Sequence, residues 1–147
     1  RVTVADNFMF RQTTLLDCCA HPGFEVFKGD ARDERFLTPL LKKADFIIPL
    51  AALVGAPLCD KDTIGTITTN RDAVALLARL ASKGQRIILP TTNSGYGVGN
   101  KEGLCTEDTP LNPISLYGRT KVEAEKIVRR CTLGDHHAAL LLAQLEG

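Results

Sequence analysis

With 147 residues the chain is long enough for one domain with one sizeable core. A formal net charge of +1 removes the electrostatic argument for nucleic acid or an anionic membrane surface. No apolar run approaches the ~20 residues that a membrane-spanning helix needs.

Val2–Ala5 is a short β-branched run that ends at the turn signal Asp6-Asn7. Gln12–Cys19 can form a short helix, stopped by His21-Pro22-Gly23. Phe24–Phe27 is expected as a second strand, ending in Gly29-Asp30. Asp33–Lys43 sets Phe36, Leu37, Leu40 and Leu41 at helical spacing. Asp45–Ala52 is nearly continuous in apolar residues, as in a strand buried on both faces. Ile67–Ser82 carries Val74, Leu76, Leu77 and Leu80 in a long helical pattern closed by Gly84. Arg86–Leu89 predicts another buried strand, leading to Thr91-Thr92. A loop with Gly95, Gly97, Gly99, Gly103, Pro110 and Pro113 follows, then a helix over Ser115–Cys131 with Lys and Glu on its outer side. Ala138–Ala143 is a last apolar run, although Ala and Leu are poor strand formers.

Strands separated by helices pair in parallel through crossovers. The expected class is α/β, a doubly wound parallel sheet of Rossmann type with helices on both faces. Such sheets bind ligands beyond the carboxyl ends of their strands, which directs attention to Asp6-Asn7, Asp30, Ala51-Ala52 and Thr92.

The five cysteines, Cys18, Cys19, Cys59, Cys105 and Cys131, include no C-x-x-C spacing. They read as reduced, partly buried thiols of a cytoplasmic protein. His21, His136 and His137 lack metal-ligand spacing and read as loop histidines, so no metal site is expected. Gly95-x-Gly97-x-Gly99 lacks the G-x-G-x-x-G pattern and leads into a loop, so these are turn glycines.

Tyr117 and Lys121 are four apart on an expected helix and so share one face. A phenol titrating near ~10 is a poor base at neutrality, and a neighbouring ammonium favours its phenolate. Tyr can then exchange a proton with a sugar hydroxyl or carbonyl, and Lys can hydrogen-bond a cofactor ribose. Alone, the pair more often describes a surface lysine beside a half-buried tyrosine. Its position after the fifth-strand loop of a dinucleotide-type fold, with Thr92 ending the preceding strand, favours the chemical reading.

The ordered stretches Val4-Ala5-Asp6-Asn7, Gly29-Asp30-Ala31-Arg32-Asp33, Pro49-Leu50-Ala51-Ala52, Thr92-Asn93-Ser94-Gly95-Tyr96-Gly97 and Tyr117-Gly118-Arg119-Thr120-Lys121 span nearly the whole chain. Together they resemble the extended short-chain dehydrogenases/reductases, the family of nucleotide-sugar epimerases and dehydratases. The resemblance implies NAD as cofactor, a nucleotide-sugar substrate and catalysis by Thr92, Tyr117 and Lys121. Asp6 would accept hydrogen bonds from the adenosine ribose and repel a 2′-phosphate, favouring NAD over NADP. Asn7 would assist it. Asp30 would meet the adenine amino group, with Ala31 beside the ring. Leu50, Ala51 and Ala52 would line the cofactor, and Asn70 would be a polar buttress near the site. Tyr117 and Lys121 would also touch the cofactor. Tyr96 would shape the loop.

Of the reactions in that family, epimerisation by transient oxidation of a sugar hydroxyl is the first expectation. A sugar dehydrogenase/reductase or a 4,6-dehydratase are alternatives. Dehydration is disfavoured because Asn93 and Ser94 stand where dehydratases carry acidic residues. A non-catalytic NAD-binding module is the reading from another class.

The family's phosphate-binding glycine fingerprint precedes the ribose-binding acid by about 20 positions, whereas Asp6 is the sixth residue. The first strand and glycine loop are therefore expected upstream of Arg1, and a substrate domain downstream of Gly147. Residues 1–147 would be a partial Rossmann domain, incomplete at both ends, binding NAD weakly by itself. At the far end Leu141 and Glu146 depart from the arginine and aromatic residue common in the family. Homodimerisation, where it occurs in such proteins, would use Ile67–Ser82 and Ser115–Cys131.

Overall fold

The computed structural model describes residues 1–98, 105–106, 108–133 and 141–144, with side chains as far as Cys131. Gly99, Gly103, His136, His137 and Glu146, and the side chain of Leu141, lie outside the described part.

Strand β1 (Val2–Asp6) pairs in parallel with β2 (Phe24–Lys28), Val2 opposite Phe24 and Asp6 opposite Lys28. Helix α1 (Glu34–Leu41) follows, its first turn capped by Asp33, whose side chain accepts from the backbone N–H groups of Arg35 and Phe36. Strand β3 (Phe46–Ile47) pairs with β4 (Arg86–Thr91), and β4 with β5 (Leu141–Gln144), again in parallel. Between β3 and β4 the chain forms α2 (Ala56–Lys61), α3 (Thr63–Ile67), a π-helical turn (Thr68–Asp72) and α4 (Ala73–Leu80). A 3-10 turn (Asn93–Tyr96) follows β4, and α5 (Leu116–Leu133) carries the chain toward β5.

The parallel α/β order matches the expectation, and the last apolar run is in a strand from Leu141 on, its start lying outside the described residues. The sheet divides in two, β1-β2 and β3-β4-β5, with no ladder between β1 and β3. This explains one correction. Asp45–Ala52 is not a long strand buried on both faces. Only Phe46 and Ile47 pair, and exposure alternates, with Ile47 buried and Phe46 and Ile48 exposed. That period of two marks a strand covered on one face.

Two helices also differ. Gln12–Cys19 gives only a 3-10 turn at Leu16–Cys18 with no buried residue, because it offers no apolar face to a neighbour. The long pattern at Ile67–Ser82 is broken by the π turn and ends at Leu80, and α2 and α3 precede it. Gly84 lies in the turn after α4 at φ 93°, a conformation that favours glycine.

The core joins α1, α4 and α5 to the central strands. Leu37, Leu41, Val74, Leu77, Ala78, Ala124 and Val128 surround Ile47, Ile87 and Leu89. Ile87 and Leu89 are fully buried, worth about 1.5–3 kcal/mol each relative to exposure. A buried glutamine ties this layer together. Gln85 donates from Nε2 to the carbonyls of Leu41 and Ala44, both at 2.6 Å, and accepts from Ser82 N at 2.8 Å. It thereby gives the Ala44 carbonyl a donor, and the Leu41 carbonyl at the end of α1 a second one beside Ala44 N. The outer side of α5 is charged as expected at Glu123, Lys126, Arg129 and Arg130, but Glu125 is buried and paired with Arg129 at 2.8 Å.

Candidate active site

The carboxyl ends of β1, β2, β3 and β4 supply the expected residues. Thr92 directly follows β4 with extended backbone (φ −144°, ψ 144°) and caps the 3-10 turn. Its Oγ1 accepts from Ser94 N at 3.3 Å, and its carbonyl accepts from Gly95 N at 3.0 Å. A hydroxyl already used as an acceptor can still donate its proton to a ligand oxygen.

Tyr117 stands in the first turn of α5, half-buried, and Lys121 follows one turn later on the same side. Lys121 is only 9% exposed. Among the described residues it has no hydrogen bond or ion pair, and burial lowers its pKa from the ordinary lysine value. Between the two, Thr120 turns its hydroxyl inward along the helix, onto the carbonyls of Leu116 and Tyr117. The start of α5 is fixed by Ser115, whose Oγ accepts from Gly118 N at 3.0 Å.

Asn70 sits in the π turn, 1% exposed. Its Oδ1 accepts from Leu53 N and its Nδ2 donates to Leu53 O, both at 2.8 Å. The buttress expected there therefore grips backbone. It holds the segment that continues Leu50, Ala51 and Ala52, of which Leu50 is 70% exposed, Ala51 exposed and Ala52 half-buried. Small and exposed side chains leave that strand end open to a ligand.

At the other end, Asp6 ends β1, and its Oδ1 accepts from Phe8 N at 2.6 Å. Asn7 makes the same kind of turn with Met9 N at 2.9 Å. Asp30 follows β2 and is held by Arg32, which donates to it from its backbone N at 2.8 Å, from Nε at 2.9 Å and from Nη2 at 2.6 Å. Arg32 holds the Asp30 carboxyl below the usual range, first through the side-chain hydrogen bonds. Ala31 between them is half-buried.

Arg32 was given no role from sequence, yet its Nη1 also reaches Thr68 Oγ1 in the π turn at 3.1 Å. Its place two residues after Asp30 was the available signal. Thr68 had none, because the π register that presents it is not written in helical periodicity. His21 behaves as a loop histidine, accepting from Gly23 N at 3.0 Å. All five cysteines are free thiols, Cys59 fully buried. Among the described residues no cluster of three or more His, Cys, Asp or Glu could hold a metal, and no helix is long and apolar enough to cross a membrane.

Parallel strands with a polar rim at their carboxyl ends define a Rossmann-type α/β protein. A crystal structure of the dTDP-glucose 4,6-dehydratase DesIV from Streptomyces venezuelae, with NAD and TYD bound, superposes with a TM-score of 0.89 at 23% identity, over 98% of this chain and 45% of that one. The model of the NAD dependent epimerase/dehydratase family matches residues 1–141, and the chain belongs to that family of enzymes. The UDP-glucose 4-epimerase of Lactobacillus helveticus is 30% identical over 111 residues, 73% of this chain and 33% of that protein. The dTDP-glucose 4,6-dehydratase of Mycobacterium tuberculosis strain CDC 1551 / Oshkosh is 27% identical over 140 residues, 87% of this chain and 40% of that protein. The chain thus spans less than half the length of these relatives.

Proposed function

We propose that this chain is the cofactor-binding part of an NAD-dependent nucleotide-sugar epimerase, with Thr92, Tyr117 and Lys121 as its catalytic residues. The observation that carries the reading is Lys121, a largely buried lysine without a partner among the described residues, one helical turn from Tyr117. Burying a cation costs free energy unless a ligand or partner compensates. Ribose hydroxyls beside Nζ would do so. The residues fit NAD in this respect, and Asp6 fits it in another, since one of its carboxylate oxygens carries no hydrogen bond among the described residues.

NAD, when bound, supplies the acceptor for a hydride from the sugar carbon. Tyr117 takes the proton of the sugar hydroxyl, aided by the positive charge of Lys121. Thr92 donates a hydrogen bond to the same sugar oxygen and orients it. Asp6 and Asn7 hold the adenosine ribose, Asp30 and Ala31 the adenine, and Leu50, Ala51 and Ala52 lie along the cofactor, with Asn70 fixing their backbone. In the reverse step Tyr117 returns the proton.

The same reading adds a first strand and glycine loop upstream of Arg1 and a substrate domain downstream of Gly147. The unpaired β1 and β3 support it, since each has an edge with no strand on it among the described residues. It also carries a cytoplasmic location and a homodimer formed through α4 and α5. Gel filtration of the natural protein tests the dimer.

A 4,6-dehydratase is the second reading, favoured by relatives of that activity and opposed by Asn93 and Ser94, which cannot do additional acid-base work. The experiment is to incubate the natural protein with UDP-, GDP-, CDP- and dTDP-sugars and follow products. Epimerisation without net NADH change supports the first reading. Loss of water supports the second, and stoichiometric NADH change indicates a dehydrogenase. Replacing Tyr117→Phe should lower the rate by at least about 100-fold with NAD binding kept. An unchanged rate would indicate a non-catalytic NAD module.

A further inference from the structure

The first turn of α5 lies on the turn that follows β4, and the contact is one of backbone on backbone. A Cβ at Gly118 would stand 2.6 Å from the carbonyl oxygen of Ser94 and 3.1 Å from Cβ of Pro113. The first approach is closer than real Cβ atoms tolerate, and the obstructing atom is main chain, which cannot swing aside. The same turn is gripped from its other end. Gly97, at φ 68°, would bring a Cβ to the carbonyl oxygen of Asn112, and Asn112 N donates to Gly95 O at 2.9 Å. Gly118 is held a second time through its own N–H, which donates to Ser115 Oγ at 3.0 Å.

This turn begins at Thr92, and Gly118 is the neighbour of Tyr117. The distance between the two groups that address one substrate oxygen is therefore set where Gly118 meets Ser94. Helix propensity alone would prefer alanine at position 118. Glycine is required by the approach and not by the helix.

We infer that Gly118 is a positioning residue. The absence of its side chain, together with the Ser115 cap, sets Tyr117 relative to Thr92, and a methyl group there would push the first turn of α5 off the Asn93–Tyr96 turn. The inference rests on the proposed roles of Tyr117 and Thr92. Displacing a reacting group by ~1 Å costs on the order of 100-fold in rate.

The test uses the natural protein, loaded with NAD and given the sugar nucleotide it turns over. Gly118→Ala should lower kcat about 100-fold with KM and NAD affinity changed only a few-fold, the pattern of a loss confined to the transition state. Gly84→Ala is the control, since it introduces strain at a left-handed glycine with open space around it, in the turn between α4 and β4. It should lower the melting temperature and leave kcat within about twofold. Ser115→Ala adds no atoms against the turn and serves if Gly118→Ala does not fold. It should lower kcat about tenfold, with rescue by Ser115→Thr, which restores the cap. Folded Gly118→Ala with kcat within about twofold of wild type overturns the inference, as does Ser115→Ala with unchanged kcat where the first variant does not fold. If the wild-type protein turns over no sugar nucleotide, the functional reading fails. The positioning claim is then decided by crystal structures, in which Gly118→Ala must move Tyr117 relative to Thr92 and an unmoved Tyr117 refutes it.

Discussion

Asn70 offers a quantitative test of how the segment after β3 is held. Its amide makes two hydrogen bonds to the backbone of Leu53, each 2.8 Å long, and both residues are buried, at 1% and 4% exposure. In Asn70→Ala the N–H of Leu53 loses its partner without gaining water, which costs about 1–3 kcal/mol. The carbonyl keeps the weaker thiol of Cys59 at 3.3 Å, so its loss is smaller, about 1 kcal/mol. The sum is about 2–4 kcal/mol, a large share of the ~5–15 kcal/mol that stabilises a domain. At about 2–4 °C per kcal/mol for a domain of this size, the melting temperature should fall by about 5–15 °C. Asn70→Asp separates the two bonds. It keeps an acceptor for Leu53 N but turns a carboxylate oxygen toward Leu53 O. Protonation restores the donor, so the folded state binds that proton more tightly than the unfolded state. The variant's stability should then be fullest below the ordinary carboxylate range and decline as pH rises through the folded-state pKa. Thermal melts against pH measure both effects. Asn70→Ala melting within about 2 °C of wild type, or Asn70→Asp tracking the wild-type pH profile, would refute the reasoning.

Gln85→Leu fills similar space but leaves the Ala44 carbonyl and the Ser82 N–H without partners, and the Leu41 carbonyl with Ala44 N alone; it should lower stability by about 2–4 kcal/mol in urea titrations with an unchanged m-value. Lys121→Met removes a largely desolvated lysine that has no partner among the described residues, so the cofactor-free protein should gain about 1 kcal/mol while NAD affinity falls. Wild-type stability should also rise with pH as it climbs through the lowered folded-state pKa of Lys121 toward the ordinary lysine value, because the unfolded chain binds that proton more tightly. The methionine variant should lack this slope in denaturant titrations at several pH values.

The local patterns were legible. A β-branched run marked β1, and apolar spacing marked α1; the expected helix starts at Asp33 and Ser115 are the residues that cap α1 and α5. The ordered motifs named Thr92, Tyr117 and Lys121 as candidates. The strand through Asp45–Ala52 was misjudged because a run of apolar residues does not say how many faces will be covered. That depends on which neighbours pair, and among the described residues β3 has β4 alone. The π turn escaped for a related reason, since one extra residue shifts the register without altering composition.

By itself, the sequence determined the alternation of strands and helices, the absence of a membrane-length apolar run, and the helix that carries Tyr117 and Lys121 on one side. These follow from spacings within a few residues. Only the tertiary structure decided that Asn70 grips Leu53, that Arg32 links Asp30 to Thr68, that Lys121 is largely buried, and that Gly118 rests on Ser94. Each of these joins segments distant in the chain or depends on burial among them. Hydrogen bonds and steric contacts act over ångströms in space, and residue order does not encode which distant backbone will arrive there.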